Sequence, residues 1–166
     1  MAKRSIATLL PTFSSSRMVT EYVHKFYVPA SAVGRRLHDN DYAGARELAS
    51  WKKRVRAGWG GVSIRLLSEL PQQLIFGDEV TVRVAVDLGG LNPEDICVDL
   101  LQSRGFGEHK VQHEISLTHV GSEGHEAIFA VVHAPDWCGR MKFQMRAYPS
   151  HSLLTHRFEM GLLLWL

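Results

Sequence analysis

Apolar residues at Met18, Val19, Tyr22, Val23, Phe26 and Tyr27 recur three and four apart, the spacing that lays one apolar stripe along a helix. Ser14-Ser15-Ser16 stands just ahead of them with hydroxyl oxygens suited to cap a helix, and Pro29 is expected to end it, because the residue before a proline is pushed out of helical geometry. Val33 and Leu37 form a second apolar series, and Leu48, Trp51, Val55 and Trp59 a third, with Asp39-Asn40-Asp41 between them as a cap for a new helix. From Gly61 the period changes to two. Val62, Ile64 and Leu66 alternate with Ser63 and Arg65, and Val80, Val82, Val84 and Val86 alternate with Thr81, Arg83, Ala85 and Asp87. Further strands are expected at 96–101, 111–117, 127–133, 141–148 and around 158–165, separated by turn residues such as Phe76-Gly77-Asp78, Gly89-Gly90, Gly121-Ser122-Glu123-Gly124 and Pro135 to Gly139.

Seven short strands punctuated by turns match the pattern of an immunoglobulin-like antiparallel β-sandwich. The sequence therefore predicts an α+β chain: a helical segment over residues 1–60, then a β-sandwich domain over 61–166. A net charge of +2 conceals a contrast between these parts, since residues 1–60 carry a net +7 and residues 61–166 a net −5. The composition, 45% hydrophobic and 22% charged, is that of a packed globular protein rather than a disordered one. No apolar run has the length of a membrane span, and the N-terminal one is too short for a secretory signal, so a cytoplasmic location and no membrane partner are expected. Cys97 and Cys138 are too few and too far apart for a disulfide framework or a metal motif, and are expected as free thiols.

The stretch Thr12-Phe13-Ser14-Ser15-Ser16-Arg17-Met18-Val19-Thr20-Glu21-Tyr22 resembles the last conserved helix of the α-glucan (glycogen, maltodextrin) phosphorylase family, with Ser16 where that family has an aspartate. Tyr27-Val28-Pro29-Ala30, Ala45 to Ala49, Trp51-Lys52 and Trp59 are similar to a bacterial subgroup with an extra region after that helix. Leu88-Gly89-Gly90-Leu91, Pro93-Glu94-Asp95, Arg146-Ala147-Tyr148-Pro149 with His151, and Gly161-Leu162 with Trp165 resemble that subgroup's C-terminal domain. The resemblance covers nearly the whole chain, but only the family's tail. It implies a non-catalytic accessory segment, whether a gene fragment, a split subunit or a C-terminal piece, whose partner is a phosphorylase catalytic domain. In the full-length enzyme pyridoxal phosphate sits on a lysine in a Gly/Ser/Asn/Met-rich stretch. None of Lys3, Lys25, Lys52, Lys53, Lys110 and Lys142 has such surroundings, so no cofactor and no catalytic residue are expected in this chain.

Other constellations carry less. His109, His113, His119, His125 and His133 suggest a metal, but strand residues four apart lie about 13 Å from each other, too far to share one ion. No Gly-x-Ser-x-Gly elbow accompanies the serines and histidines. Lys52-Lys53-Arg54 and Arg56 beside Trp51 and Trp59 have the composition of a nucleic-acid contact. On a helix, however, Trp51, Val55 and Trp59 fall on one line away from the cations, which predicts a solvated basic face over a buried stripe and no nucleic-acid partner. The alternative function is a free-standing glucan-binding module, with Trp137 and Tyr148 as carbohydrate contacts; Trp165, inside an apolar run, is expected to pack. The stripe from Met18 to Tyr27 is wide for so short a helix. It is expected to be an association surface: the resemblance places it against the catalytic core of an intact phosphorylase, and in this chain it packs on the following helices, pairs with a second copy or, least expected, stays exposed.

Overall fold

The computed structural model describes residues 2–71, 73–104, 111–136 and 139–166. The chain divides into two compact units, residues 1–48 and 49–166.

The first unit is helical. Helix α1 (Ala2–Phe13) was not foreseen; Pro11 stands in its last turn, where its missing N–H leaves one carbonyl of the preceding turn without a helical bond. Ser14 then caps α2 (Ser15–Tyr22) in extended geometry, its Oγ accepting from the Arg17 N–H at 3.3 Å. Glu21, one turn from both Arg17 (2.5 Å) and Lys25 (3.5 Å), ties the exposed side of this helix together. Pro29 does not end the helical run as expected. A wide π-helical turn spans Val23–Tyr27, with the Val28 N–H bonding the Val23 carbonyl, and α3 (Val28–Gly58) follows with Pro29 in its first turn, where a missing N–H costs least. The break comes later, at Asp39-Asn40-Asp41-Tyr42. Asp39 is extended (ψ 153°) and the next three residues have φ of 52°, 53° and 60°, so the acidic triplet separates two helical stretches, as its capping character suggests.

The second unit begins at Ala49 with the last turns of α3, twelve residues before the start expected at 61. It continues through eight strands: β1 (Val62–Leu66), β2 (Val80–Leu88), β3 (Ile96–Arg104), β4 (Val111–Ser116), β5 (Thr118–Glu123), β6 (Glu126–His133), β7 (Met141–Pro149) and β8 (Leu164–Trp165). They form two four-stranded antiparallel sheets, ordered β1-β2-β6-β5 and β4-β3-β7-β8. Alternation decides the register: Val82, Val84 and Val86 pair with Val131, Phe129 and Ala127, while Val98 and Leu100 pair with Ala147 and Met145. Except for Val131, which is half-buried, these side chains are all buried and make up most of the core. Gln102, fully buried, joins the sheets by a 2.7 Å hydrogen bond to His133 Nε2. Gly89, at φ +56°, allows the β2 turn to approach the helix end so closely that a Cβ there would lie 2.6 Å from the Gly58 carbonyl oxygen.

Two strands differ from those expected, each for its own reason. Strand β5 is polar (Thr-His-Val-Gly-Ser-Glu), bulged between His119 and Gly121 and mostly exposed at a sheet edge, so it lacks the alternation that marks a strand. Strand β8 is only two residues long, because 150–163 is taken up by turns that lie along the sheet instead of pairing.

Candidate functional site

In the helical unit the six residues of the predicted stripe all remain exposed, from 36% at Val23 to 63% at Tyr27. Tyr22 and Phe26 meet edge to face at 5.8 Å, but this is a contact along the same helix face. Of the fates expected for the stripe, packing on the following helices is therefore not the one observed. Helix α1 enlarges the apolar surface with Ile6, Leu9, Leu10 and Phe13, which line a shallow cleft of about 280 Å³. A soluble domain seldom leaves this many large apolar side chains in water without a partner.

In the second unit, the final turns of α3 are fastened to the β part by a polar latch. Asp95, buried at the start of β3, accepts from Trp51 Nε1 (2.6 Å), from Arg54 Nη2 (2.9 Å) and from the Asn92 N–H (2.9 Å). Trp51 also stacks on His151 at 4.8 Å, and Lys52 pairs with Glu159. That pairing, with two further bonds from Thr155, holds the Glu159 carboxyl down at about 2. Trp51 and Val55 are buried as the stripe predicted. Two of the cations expected to be solvated, Lys52 and Arg54, instead face acidic partners.

The outer face of β3 and β7 carries a second cluster. Asp99, fully buried, accepts two bonds from the Arg146 guanidinium (2.9 and 3.1 Å) and one from Ser116 Oγ (2.8 Å). Arg146 also reaches Glu114 at 2.7 Å, and Glu114 is shared with Arg157. Phe158 lies under both arginines, 4.8 and 5.0 Å from ring centre to guanidinium carbon. Tyr148, expected as a carbohydrate contact, is buried beside Phe158 with Arg146 over its ring, which leaves no free face for a sugar. Burial, and then the neighbouring Cys97, push its hydroxyl pKa far up; burial raises the Cys97 thiol as well. The other expected carbohydrate contact, Trp137, lies outside the described residues, as does Cys138. Trp165 was expected to pack but is 53% exposed, since it sits opposite Arg146 on the outer face of a two-residue edge strand.

Among the described residues no three metal-ligating side chains converge. His133 is bound to Gln102, His119 lies against Phe129, and His113 stands 3.9 Å from Asp136; His109 lies outside the described residues. A pyridoxal phosphate site needs a lysine amine enclosed beside phosphate-holding groups. Lys25 is an exposed partner of Glu21, Lys52 is held by Glu159, and Lys3, Lys53 and Lys142 are exposed, so the described lysines do not fit that group. No described helix is long and apolar enough to cross a membrane.

Sequence reasoning missed the Asp95 latch, although a signal was present: Asn92-Pro93-Glu94-Asp95 is a helix-start pattern whose fourth residue turns back to the first backbone N–H. What it does not reveal is the helix 41 residues earlier that Asp95 also receives.

The comparison with known proteins follows the same outline. The family model for the glycogen phosphorylase C-terminal domain matches residues 59–166. Over 177 aligned residues the chain is 34% identical to maltodextrin phosphorylase of Thermococcus litoralis, covering 99% of this chain and 20% of that protein. It is 31% identical over 168 residues to glycogen phosphorylase of Mycobacterium tuberculosis, covering 98% of this chain and 19% of that protein. The chain thus spans about a fifth of the length of these relatives. The helical unit, which the family model leaves unmatched, aligns with both of them, and with the β part it places the chain in the glycogen phosphorylase C-terminal domain family.

Proposed function

We propose that the chain is the non-catalytic accessory and scaffold segment at the C-terminal end of an α-glucan phosphorylase, the enzyme class that transfers glucosyl units between α-1,4-glucan and phosphate. The observation that carries this reading is the exposed apolar surface of the helical unit, built from Ile6, Leu9, Leu10 and Phe13 on α1 and from Met18 to Tyr27 beyond it. Such a surface suits a segment that completes a larger protein, and the relatives' remaining four-fifths supplies one. The β unit is read as an immunoglobulin-like sandwich: its strand order, with the first, second, sixth and fifth strands in one sheet and the rest in the other, supports that topology. A cytoplasmic setting agrees with a count of two cysteines, too few for a disulfide framework.

The test is a chimera. The matching fifth of the Thermococcus litoralis maltodextrin phosphorylase is replaced by this chain, and maltodextrin phosphorolysis is compared with that of the enzyme truncated at the same point. The chimera is expected to recover folding and activity that the truncated enzyme lacks; a chimera no better than the truncation overturns the reading. The chain alone is expected to show no phosphorolysis, and measurable turnover by it would contradict the non-catalytic role. With no catalytic part present, the apolar surface is expected to pair two copies of the chain symmetrically, giving a species heavier than the monomer in sedimentation at micromolar concentration.

A further inference from the structure

Residues 39–42 hold a backbone that L-amino acids seldom adopt in succession. Asp39 is extended (ψ 153°), and Asn40, Asp41 and Tyr42 follow at φ 52° and ψ 51°, φ 53° and ψ 50°, and φ 60° and ψ 29°. This is the left-handed region, where Cβ crowds the following carbonyl oxygen and which residues other than glycine enter singly rather than in runs. Asparagine and aspartate tolerate it better than most; tyrosine does not. Little holds the run in place. The Tyr42 ring meets His38 edge to face at 4.5 Å, and Asp41 pairs with Arg46 at 3.3 Å. All of these side chains are exposed, so water competes for both contacts.

The bend has a steric requirement as well. On one continuous helix Leu37 and Gly44 would stand about 10.5 Å apart. Here their backbones meet: a Cβ on Gly44 would lie 2.6 Å from the Arg36 carbonyl oxygen and 3.5 Å from the Leu37 Cα. Gly44 itself lies outside the non-helical stretch, so alanine suits its own backbone and is excluded only by the chain folded back upon it. No proline interrupts residues 30–58, and Ala43, Ala45, Arg46, Glu47 and Leu48 are strong helix formers. A second backbone is therefore open to the same sequence. A right-handed helix running straight through 39–42 relieves three left-handed residues and gives up the close approach at Gly44. We infer that residues 39–42 are a conformational joint, bent in this structure and in exchange with a continuous helix, whose balance Tyr42 and Gly44 set from opposite sides. Tyr42 strains the bend; Gly44 permits it and weakens the helix. As a hinge, the joint lets the helical segment ahead of it, with its exposed apolar side, change direction to meet a surface without unfolding. The inference does not depend on the phosphorylase reading.

Nuclear magnetic resonance of the isotope-labelled full chain tests it through two signals. One is the Overhauser contact between Leu37 and position 44, which only the bend brings within reach; the other is relaxation dispersion across residues 38–44, which reports the exchange. The parent chain is expected to show both. Gly44→Ala is expected to favour the continuous helix at least about fivefold, losing the contact, gaining helical contacts across 39–42 and raising far-UV helicity. Tyr42→Gly is expected to favour the bend by about the same factor, strengthening the contact and quenching the dispersion. The unfolding midpoint shows whether each variant is folded, and if Gly44→Ala is not, Tyr42→Gly decides alone. The inference is overturned by a parent chain without dispersion, by a folded variant that keeps both signals at the parent's level, or by a folded Gly44→Ala that loses the contact without gaining helix across 39–42.

Discussion

The two units of this chain meet the problem of apolar surface in opposite ways. In the β unit, period-two alternation sends Val82, Val84, Val86, Val98 and Leu100 to one side of each sheet, and the strand pairs close over them. In the helical unit, the three-and-four spacing also gathers apolar residues onto one side, yet ten of them, from Ile6 to Tyr27, stay in water. Helices satisfy their backbone locally, so the surface that covers their apolar side can come from elsewhere, whereas strands must find partners, so a sheet tends to bury what it gathers. On the proposed reading the helical unit is the part that depends on another surface, and the β unit the part that stands by itself.

The strongest way to break this contrast is to open the β unit. Trp51→Ala removes a buried ring and leaves Asp95 with one donor fewer, and is expected to cost about 3–5 kcal/mol in urea unfolding. A cost under about 1 kcal/mol would show that the helix end is not part of this unit. Close behind stands Arg146→Met. It strands the fully buried Asp99 carboxylate beside Ser116 and Glu114, at about 3–5 kcal/mol. Adding Asp99→Leu to it is expected to recover much of that loss, because the pair is then replaced by apolar groups rather than broken.

Removing residues 2–48 sharpens the comparison from the other side. The remaining chain is expected to keep a cooperative unfolding transition and to sediment as a monomer. Loss of the transition would mean that the β unit needs the helices after all. Lys52→Met brings the smallest effect, about 0.2–1 kcal/mol, since water reaches this ion pair. Glu159 is held at about 2, below its ordinary 4.5, so its contribution is complete above pH 4.5 and is lost as the pH falls toward 2. The gap between the parent chain and Lys52→Met in acid-unfolding curves should therefore narrow over that interval and stay constant above it.

Much of this contrast is legible in the sequence, because each signal is local. The alternation at Val80 to Val86, the serine cap at Ser14 and the break at Asp39-Asn40-Asp41 all reappear in the structure. Partners distant along the chain are not legible. Asp95 joins Trp51 and Arg54 across more than 40 residues, and the rings of Tyr148 and Phe158 meet only because the turns after β7 fold over the sheet. Tyr148 and Trp165 changed places for this reason: the first is covered by that return, and the second ends on an edge strand with nothing beyond it. Pro29 misled because a wide turn ahead of it makes a proline compatible with a helix start, and no composition rule announces such a turn.

The central claim is that the exposed apolar side of the helical unit is covered by the catalytic part of a phosphorylase. Amide hydrogen exchange across residues 15–27 tests it most directly, measured in the isolated chain at a dilution where it sediments as a monomer and again in the chimera. The account predicts rapid exchange in the isolated monomer and protection in the chimera stronger by at least about tenfold. Equal protection in the two would contradict it, showing that this segment holds its structure without the surface assigned to it.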